Sequence, residues 1–198
     1  MEGQDKFEFT GVRVRLTRSL SGATLDAENT FTLKDVTPER QLVAVTGLPE
    51  RAYVKSIRLG GVETIDSGLD LAAMQTVPLL DILISPNGAT VEGTVNQYED
   101  KPSPGAWVCL VPDPIPPEPT SRITCATATG DGGFAFAGVP PGEYRLYAFG
   151  QLKRTPYGNL ELEFLKPFEN EAMKLRVKGG ERKEADVKAL KLEGIGPP

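Results

Sequence analysis

The chain has 198 residues, with 22 Lys and Arg against 27 Asp and Glu, no His, and a formal net charge of -5 at pH 7. That balance excludes a global basic field for nucleic acid or an anionic membrane surface. The missing imidazole removes His-based catalysis and the commonest zinc sites, which leaves acid pairs, lysine chemistry or an all-oxygen metal site.

Taken in chain order, the apolar residues alternate with polar ones over many short segments. "FTGVRVRLTR" from Phe9, "TFTLKD" from Thr30, "RQLVAVTGL" from Arg40, "YVKSIRLGG" from Tyr53 and "PLLDILIS" from Pro78 each read as a strand of roughly five to eight residues. After the turn residues Pro86, Asn87 and Gly88 the same pattern resumes with "VEGTVNQY", "GAWVCLVP", "RITCATAT", "GFAFAGV", "EYRLYAFG", "MKLRVKGG" and "KEADVKALKLE". Regularly spaced short strands with Gly and Pro turns predict an all-β sandwich with little helix. Only "DLAAMQ" from Asp70 and "LELEFLKPFEN" from Leu160 have room for a helical turn, the second stopped by Pro167. "VPDPIPPEPTSR" holds five prolines and must be an extended loop between strands.

The second half repeats part of the first. "NTFTLKDVTPERQLVAV" from Asn29 aligns without a gap on "GGFAFAGVPPGEYRLYA" from Gly132, so that Phe31 falls on Phe134, Val36 on Val139, Pro38 on Pro141 and Val43 on Leu146 (134 − 31 = 103). A spacing of 103 residues is the size of a small domain rather than of a solenoid repeat of about 20–50 residues. Two tandem sandwich domains are expected, residues 1–86 and 87–198. Glu39 and Gln41 stand where the second copy has Gly142 and Tyr144, so the first copy's turn and core anchor differ. "MEGQDKFEF" lacks the basic-then-apolar pattern of a secretion signal, and no window approaches the ~18 apolar residues of a membrane span. Either the protein is cytosolic or the chain is a C-terminal piece of a longer secreted protein; strand repeats that start almost at Met1 favour the piece.

"VEGTVNQYEDKPSPGAWVCLVPD", "TATGDGGFAFAGVPPGEYRLYAF" and "EFLKPFEN" resemble the carboxypeptidase regulatory-like domains of secreted multi-domain bacterial proteins, notably those of acidobacteria. The N-terminal half, with "TFTLKDVTPE" and "VTGLPERAYVKSIRLGGVETIDSGLDL", is similar to the domain that precedes them there. The resemblance implies two seven-stranded transthyretin-like or Ig-like sandwiches, a passive extracellular or cell-envelope module and no peptidase machinery. Related sandwiches bind glycans or carry Lys-Asn isopeptide cross-links, so membership alone does not choose a function.

Candidate chemistry is sparse. With Ala106, Val108 and Leu110 facing the core, Trp107 and Cys109 face outward or toward a neighbouring element. Trp107, Tyr147 and Tyr157 are the candidate sugar-stacking rings, with Tyr98 and Phe168 as further rings. Packing of Trp107 under the "EFLKPFEN" segment is the alternative. Cys109 and Cys125 flank the proline loop and close it as a disulfide if their strands are adjacent; otherwise they are two free thiols. Asp131 sits in a Gly-rich turn without the D-x-D-x-D spacing of a calcium loop, and Glu161 and Glu163 read as solvated surface. Asn96 with Lys188 or Lys191 is the isopeptide candidate set, disfavoured because alternation turns Lys188 outward. No cofactor and no metal site are expected. The expected role is adhesion, spacing or assembly through sheet faces and edges, with a protein partner or self-association, and without nucleic acid or membrane insertion. Carbohydrate binding at Trp107 is the alternative, and no enzymatic activity is expected.

Overall fold

A computed structural model of the chain describes residues 9–17, 19, 22–72, 74, 76, 78–97, 101–116, 122–150 and 162–191. It divides into two compact units, Met1–Asn87 and Gly88–Pro198. Both are built from short strands, and among the described residues no helix is long and apolar enough to cross a membrane.

In the first unit the strands are β1 (Arg13–Leu16), β2 (Gly22–Thr24), β3 (Arg40–Gln41), β4 (Val43–Thr46), β5 (Tyr53–Leu59), β6 (Val62–Glu63), β7 (Leu69–Asp70) and β8 (Leu80–Ser85). They form a β2-β1-β4 sheet, a β3-β7 pair and a β6-β5-β8 sheet. β3 and β4 are one extended run that changes partner at Leu42, pairing first with β7 and then with β1. Val14, Leu16 and Val43 on one side, and Ile57, Leu59 and half-buried Ile82 on the other, fill the space between the sheets. Arg13 and Arg15 alternate with Val14 and Leu16 on β1 and stand exposed, so this face of the sheet meets water.

The second unit adds β9 (Ala89–Asn96), β10 (Trp107–Pro112), β11 (Thr124–Thr127), β12 (Gly133–Val139), β13 (Gly142–Phe149), β14 (Met173–Val177), β15 (Arg182–Glu184) and β16 (Val187–Lys188). One sheet runs β11-β10-β13-β14; the other runs β12-β9-β15, with β16 also on β9. Val91 and Val95 of β9, Phe134 and Phe136 of β12, and Val108 and Leu146 opposite them make the core between the sheets. β15 and β16 form one interrupted strand parallel to β9, pairing Arg182 with Thr90 and Val187 with Val95. Over the interruption the Asp186 carboxylate replaces the ladder, accepting from the Thr94 N–H at 2.9 Å and its hydroxyl at 2.8 Å.

The two units share a backbone plan. Arg13 pairs with Thr46 and Thr24 as Trp107 pairs with Phe149 and Thr127. Asn29 and Asp35 are left-handed at φ 60 and 53, and the residues 103 further on, Gly132 and Gly138, are left-handed at φ 80 and 65. Asn and Asp tolerate that region better than other residues with a Cβ, which lets the first copy keep the turns without glycine. Tyr144, buried, donates its hydroxyl to the Pro140 carbonyl at 2.8 Å. Gln41, equally buried, makes the equivalent bond from Nε2 to the Thr37 carbonyl at 3.3 Å. A different side chain thus supplies the same donor to the same carbonyl, and Gly142 is not left-handed, so Glu39 fits its position.

Three expectations are corrected. "TFTLKD" is not a strand: residues 30–35 have no ladder partner among the described residues, although Phe31 and Leu33 still pack against the core. "DLAAMQ" forms no helix among its described residues. Pro167 does not end the helical segment but sits at the start of a 3-10 turn, Lys166–Phe168, that follows α1 (Leu162–Leu165); at a first turn its missing N–H is not needed.

Candidate functional site

The expected site centres on Trp107, and the structure places that side chain inside the second unit. β10 reads Trp-Val-Cys-Leu-Val with all five residues buried, because its sheet is covered on both faces. One face meets the β12-β9 sheet. The other meets α1 and the 3-10 turn, whose Leu162, Leu165 and Phe168 close over Trp107, Tyr147 and Phe149. Phe149 is the hub of this third layer: its ring centroid lies 5.8 Å from Trp107, 5.1 Å from Phe164 and 5.0 Å, edge-on, from Phe168.

The stacking reading is therefore corrected for these residues. Trp107 is 6% exposed and Tyr147 0%, so neither presents a ring face to a sugar. Alternation put Trp107 on the face opposite Val108, which it occupies; a neighbouring element covers that face. Phe168 belongs to the same buried cluster, and Tyr98, Tyr157 and Glu161 lie outside the described residues. On β1 of the first unit the exposed Arg13 and Arg15 take the places of Trp107 and Cys109, and among the described residues no third layer covers that face.

Cys109 and Cys125 are directly paired across β10 and β11 and are joined as a disulfide. The bond ties the edge strand β11 and the proline loop to the buried strand. Reduction, or the double change Cys109→Ala and Cys125→Ala, is expected to lower the second unit's stability by about 3 kcal/mol from loop entropy. Urea unfolding with and without a thiol reductant, followed by the fluorescence of Trp107, the single tryptophan, checks this.

Sequence reasoning missed Arg145, which is buried in β13 at the end of the aromatic layer. It pairs with Asp113 at 3.1 Å and with the Glu169 carboxylate at 3.0 Å, and it donates to the Glu169 carbonyl. It thereby pins the proline loop and the 3-10 turn to the sheet. The signal was an arginine inside the otherwise apolar "YRLYAF", since a buried charge persists only where partners meet it. Nearby, burial pushes the Tyr147 phenol up from 10.0 to about 12, and among the described residues its hydroxyl meets no hydrogen-bond partner.

The remaining polar candidates read as structure. Asp131 accepts from the Thr129 hydroxyl and the Gly133 N–H and so closes the hairpin turn. Among the described residues no group of three or more His, Cys, Asp or Glu side chains stands close enough to hold a metal ion. Glu163 pairs with Lys166 on the surface at 2.6 Å. Lys188 does stand opposite Asn96, in the β16–β9 ladder, but it is exposed. An exposed lysine lacks the apolar surroundings that activate an amine as a nucleophile. Lys191 is likewise exposed.

Hydrogen bonds, first from the Thr129 and Thr94 hydroxyls, hold the Asp131 and Asp186 carboxyls below their ordinary 3.8. Depressed carboxyls add stability above that value and lose it as pH falls through the folded-state pKa. The second unit is therefore expected to weaken below pH 3.8, and Asp186→Asn to flatten that acid limb, measured by Trp107-monitored unfolding across pH. The raised Tyr147 phenol acts at the other end: its contribution is present below pH 10.0 and is lost as pH rises through about 12.

No protein-family model and no curated protein matches the chain. Among solved structures it is similar to the major pilin subunit of Bacillus cereus at 10% identity and TM-score 0.37, over 89% of this chain and 58% of that one. It is similar to the Bacillus anthracis TIE protein at 10% identity and TM-score 0.35, over 89% of this chain and 24% of that one. The dioxygenase domain of a dioxygenase and carbohydrate-binding fusion from Streptomyces matches 52% of this chain and 80% of its own, at 17% identity and TM-score 0.32. The chain spans less than two thirds of the pilin subunit and of the TIE protein. Likeness at this level carries no argument about assembly, sugars or oxidation.

Proposed function

We propose that the chain is a non-catalytic spacing and interaction module of a longer extracellular or cell-envelope protein, and that it acts through the edges of its sheets. The observation that carries this reading is where the chemistry-bearing side chains lie. Trp107, Tyr147 and Phe168 are used as core, whereas β8 and β14 each end a sheet and carry backbone groups that another strand can meet. The Cys109–Cys125 bond supports an oxidising compartment. Membership in the carboxypeptidase regulatory-like family, with two seven-stranded transthyretin-like domains and an acidobacterial setting, belongs to the same proposal. It rests on the sequence motifs quoted above.

A glycan array and a panel of soluble polysaccharides against the folded chain test the reading, beside sedimentation over a range of protein concentrations. Silence across the sugars, with association only to protein, is expected. Saturable binding to any polysaccharide overturns it.

A further inference from the structure

The Cys109–Cys125 bond joins two unlike sulfurs. Cys109 is 0% exposed, set in the third layer with Tyr147, Phe149 and Leu165, whereas Cys125 is exposed on the edge strand β11. Among the described residues β11 pairs with β10 alone, and apart from half-buried Ala126 every residue in it is exposed. Such a strand has little besides its ladder to hold it, and the net gain from one ladder hydrogen bond is no larger than the cost of ordering one residue's backbone. The covalent bond supplies what packing does not.

β10 does not need β11 to keep its place. It pairs along its whole length with β13, and its residues from Trp107 to Val111 are buried between the two layers that cover its sheet. The edge segment also has an anchor at each end. Before it, Asp113 donates its N–H to the Glu143 carbonyl and pairs with Arg145. After it, the Ala128 N–H donates to the Ala106 carbonyl and the Ala128 carbonyl accepts from the Gly105 N–H. Between those anchors the disulfide is the covalent hold on the segment, so what its opening frees is bounded on both sides.

We propose that Cys125 is a thiol-exchange site, with a dithiol as its partner, and that exchange there works as a latch: it releases β11 while the rest of the second unit stays folded. One thiolate of the dithiol attacks the Cys125 sulfur, because the third layer closes off the sulfur of Cys109. The S–S bond breaks, its electron pair goes to the Cys109 sulfur, and that sulfur takes up a proton. The second thiol of the reductant then attacks the sulfur by which the reductant is joined to Cys125 and gives its proton to Cys125. Two electrons have passed to the protein, and the dithiol leaves as a disulfide. A monothiol stops at the mixed disulfide, where Cys109, directly opposite Cys125 in the ladder, reverses the first step and re-forms the bond. The same pair of steps run backwards installs the bond, again through Cys125. The latch goes beyond the module reading and does not rest on it.

The test uses the full chain in native buffer. Reduction with dithiothreitol is expected to speed hydrogen exchange at residues 124–127 by about tenfold or more, with β9 and β13 as protected as before. Glutathione added to the oxidised chain, quenched with acid and located by peptide mass, is expected on Cys125. In the variant Cys109→Ala, oxidised glutathione is expected to modify Cys125 at the rate of an exposed thiol. In Cys125→Ala it is expected to modify Cys109 about a hundredfold more slowly, and at the ordinary rate once urea unfolds the unit. If a variant does not fold, the glutathione map of the unaltered chain decides. Glutathione on Cys109, unchanged exchange at residues 124–127 after reduction, or exchange that rises equally in β9 and β13 each overturns the proposal. The sugar and sedimentation outcomes are read separately, so failure of the latch leaves the module reading standing, and the reverse.

Discussion

Phe149→Ala is expected to destabilise the second unit by about 3–5 kcal/mol, the range for deleting a fully buried aromatic ring. The ring is wholly buried and touches Trp107 on its own sheet and Phe164 and Phe168 on the covering segment. Its loss removes the surface on which α1 and the 3-10 turn sit. α1 is only four residues long, and a helix that short has no stability of its own. The cavity therefore weakens the sheet and its cover together. Trp107, stacked on Phe149, reports both: its emission shifts red in the folded variant and its unfolding midpoint in urea falls. A change below about 1 kcal/mol would show that the third layer adds little to the unit.

Gly93→Ala is expected to destabilise the same unit by about 3 kcal/mol, at the upper end of overpacking effects. Gly93 is not left-handed, so on backbone entropy alone alanine would stabilise by roughly 0.4–1 kcal/mol. The sign is reversed by what a Cβ meets: the Ala185 carbonyl oxygen at 2.2 Å and its carbon at 2.6 Å. Both are backbone atoms, so no rotamer change relieves the contact. β15 and β16 must lift from β9, lengthening the bond from the Ala185 N–H to the Glu92 carbonyl and the two that Asp186 accepts from Thr94. Gly130→Ala is the control, since nothing lies within 4 Å of its Cβ position, and a change within about 0.5 kcal/mol is expected there. If the two variants unfold alike, the close crossing at Gly93 is not what limits the unit.

Much of the strand layout was legible because a half-buried strand writes its burial as alternation. The alternation of exposed Arg13 and Arg15 with buried Val14 and Leu16 on β1 is the Arg-Val-Arg-Leu of the sequence. The echo across 103 residues likewise survives as shared backbone, down to the left-handed pairs Asn29 with Gly132 and Asp35 with Gly138. Cys109 and Cys125 were legible as a pair flanking one loop, but their bond depended on a register that only the folded sheet sets.

Tertiary structure decided the rest. Alternation tells which residues share a face and is silent on whether a distant segment covers it. Trp107 was therefore a candidate ring until Leu165 and Phe168, far along the chain, closed over it. A strand also needs a partner for its backbone groups. "TFTLKD" and "GFAFAG" are patterned alike, yet only the second became a strand, because β9 lies beside it. The sequence by itself determined the local elements, the repeat and the absence of imidazole chemistry, since each depends on residues close together or on composition. Which faces are covered and how the strands are ordered depend on contacts between residues far apart in the chain, and those exist only in the folded molecule.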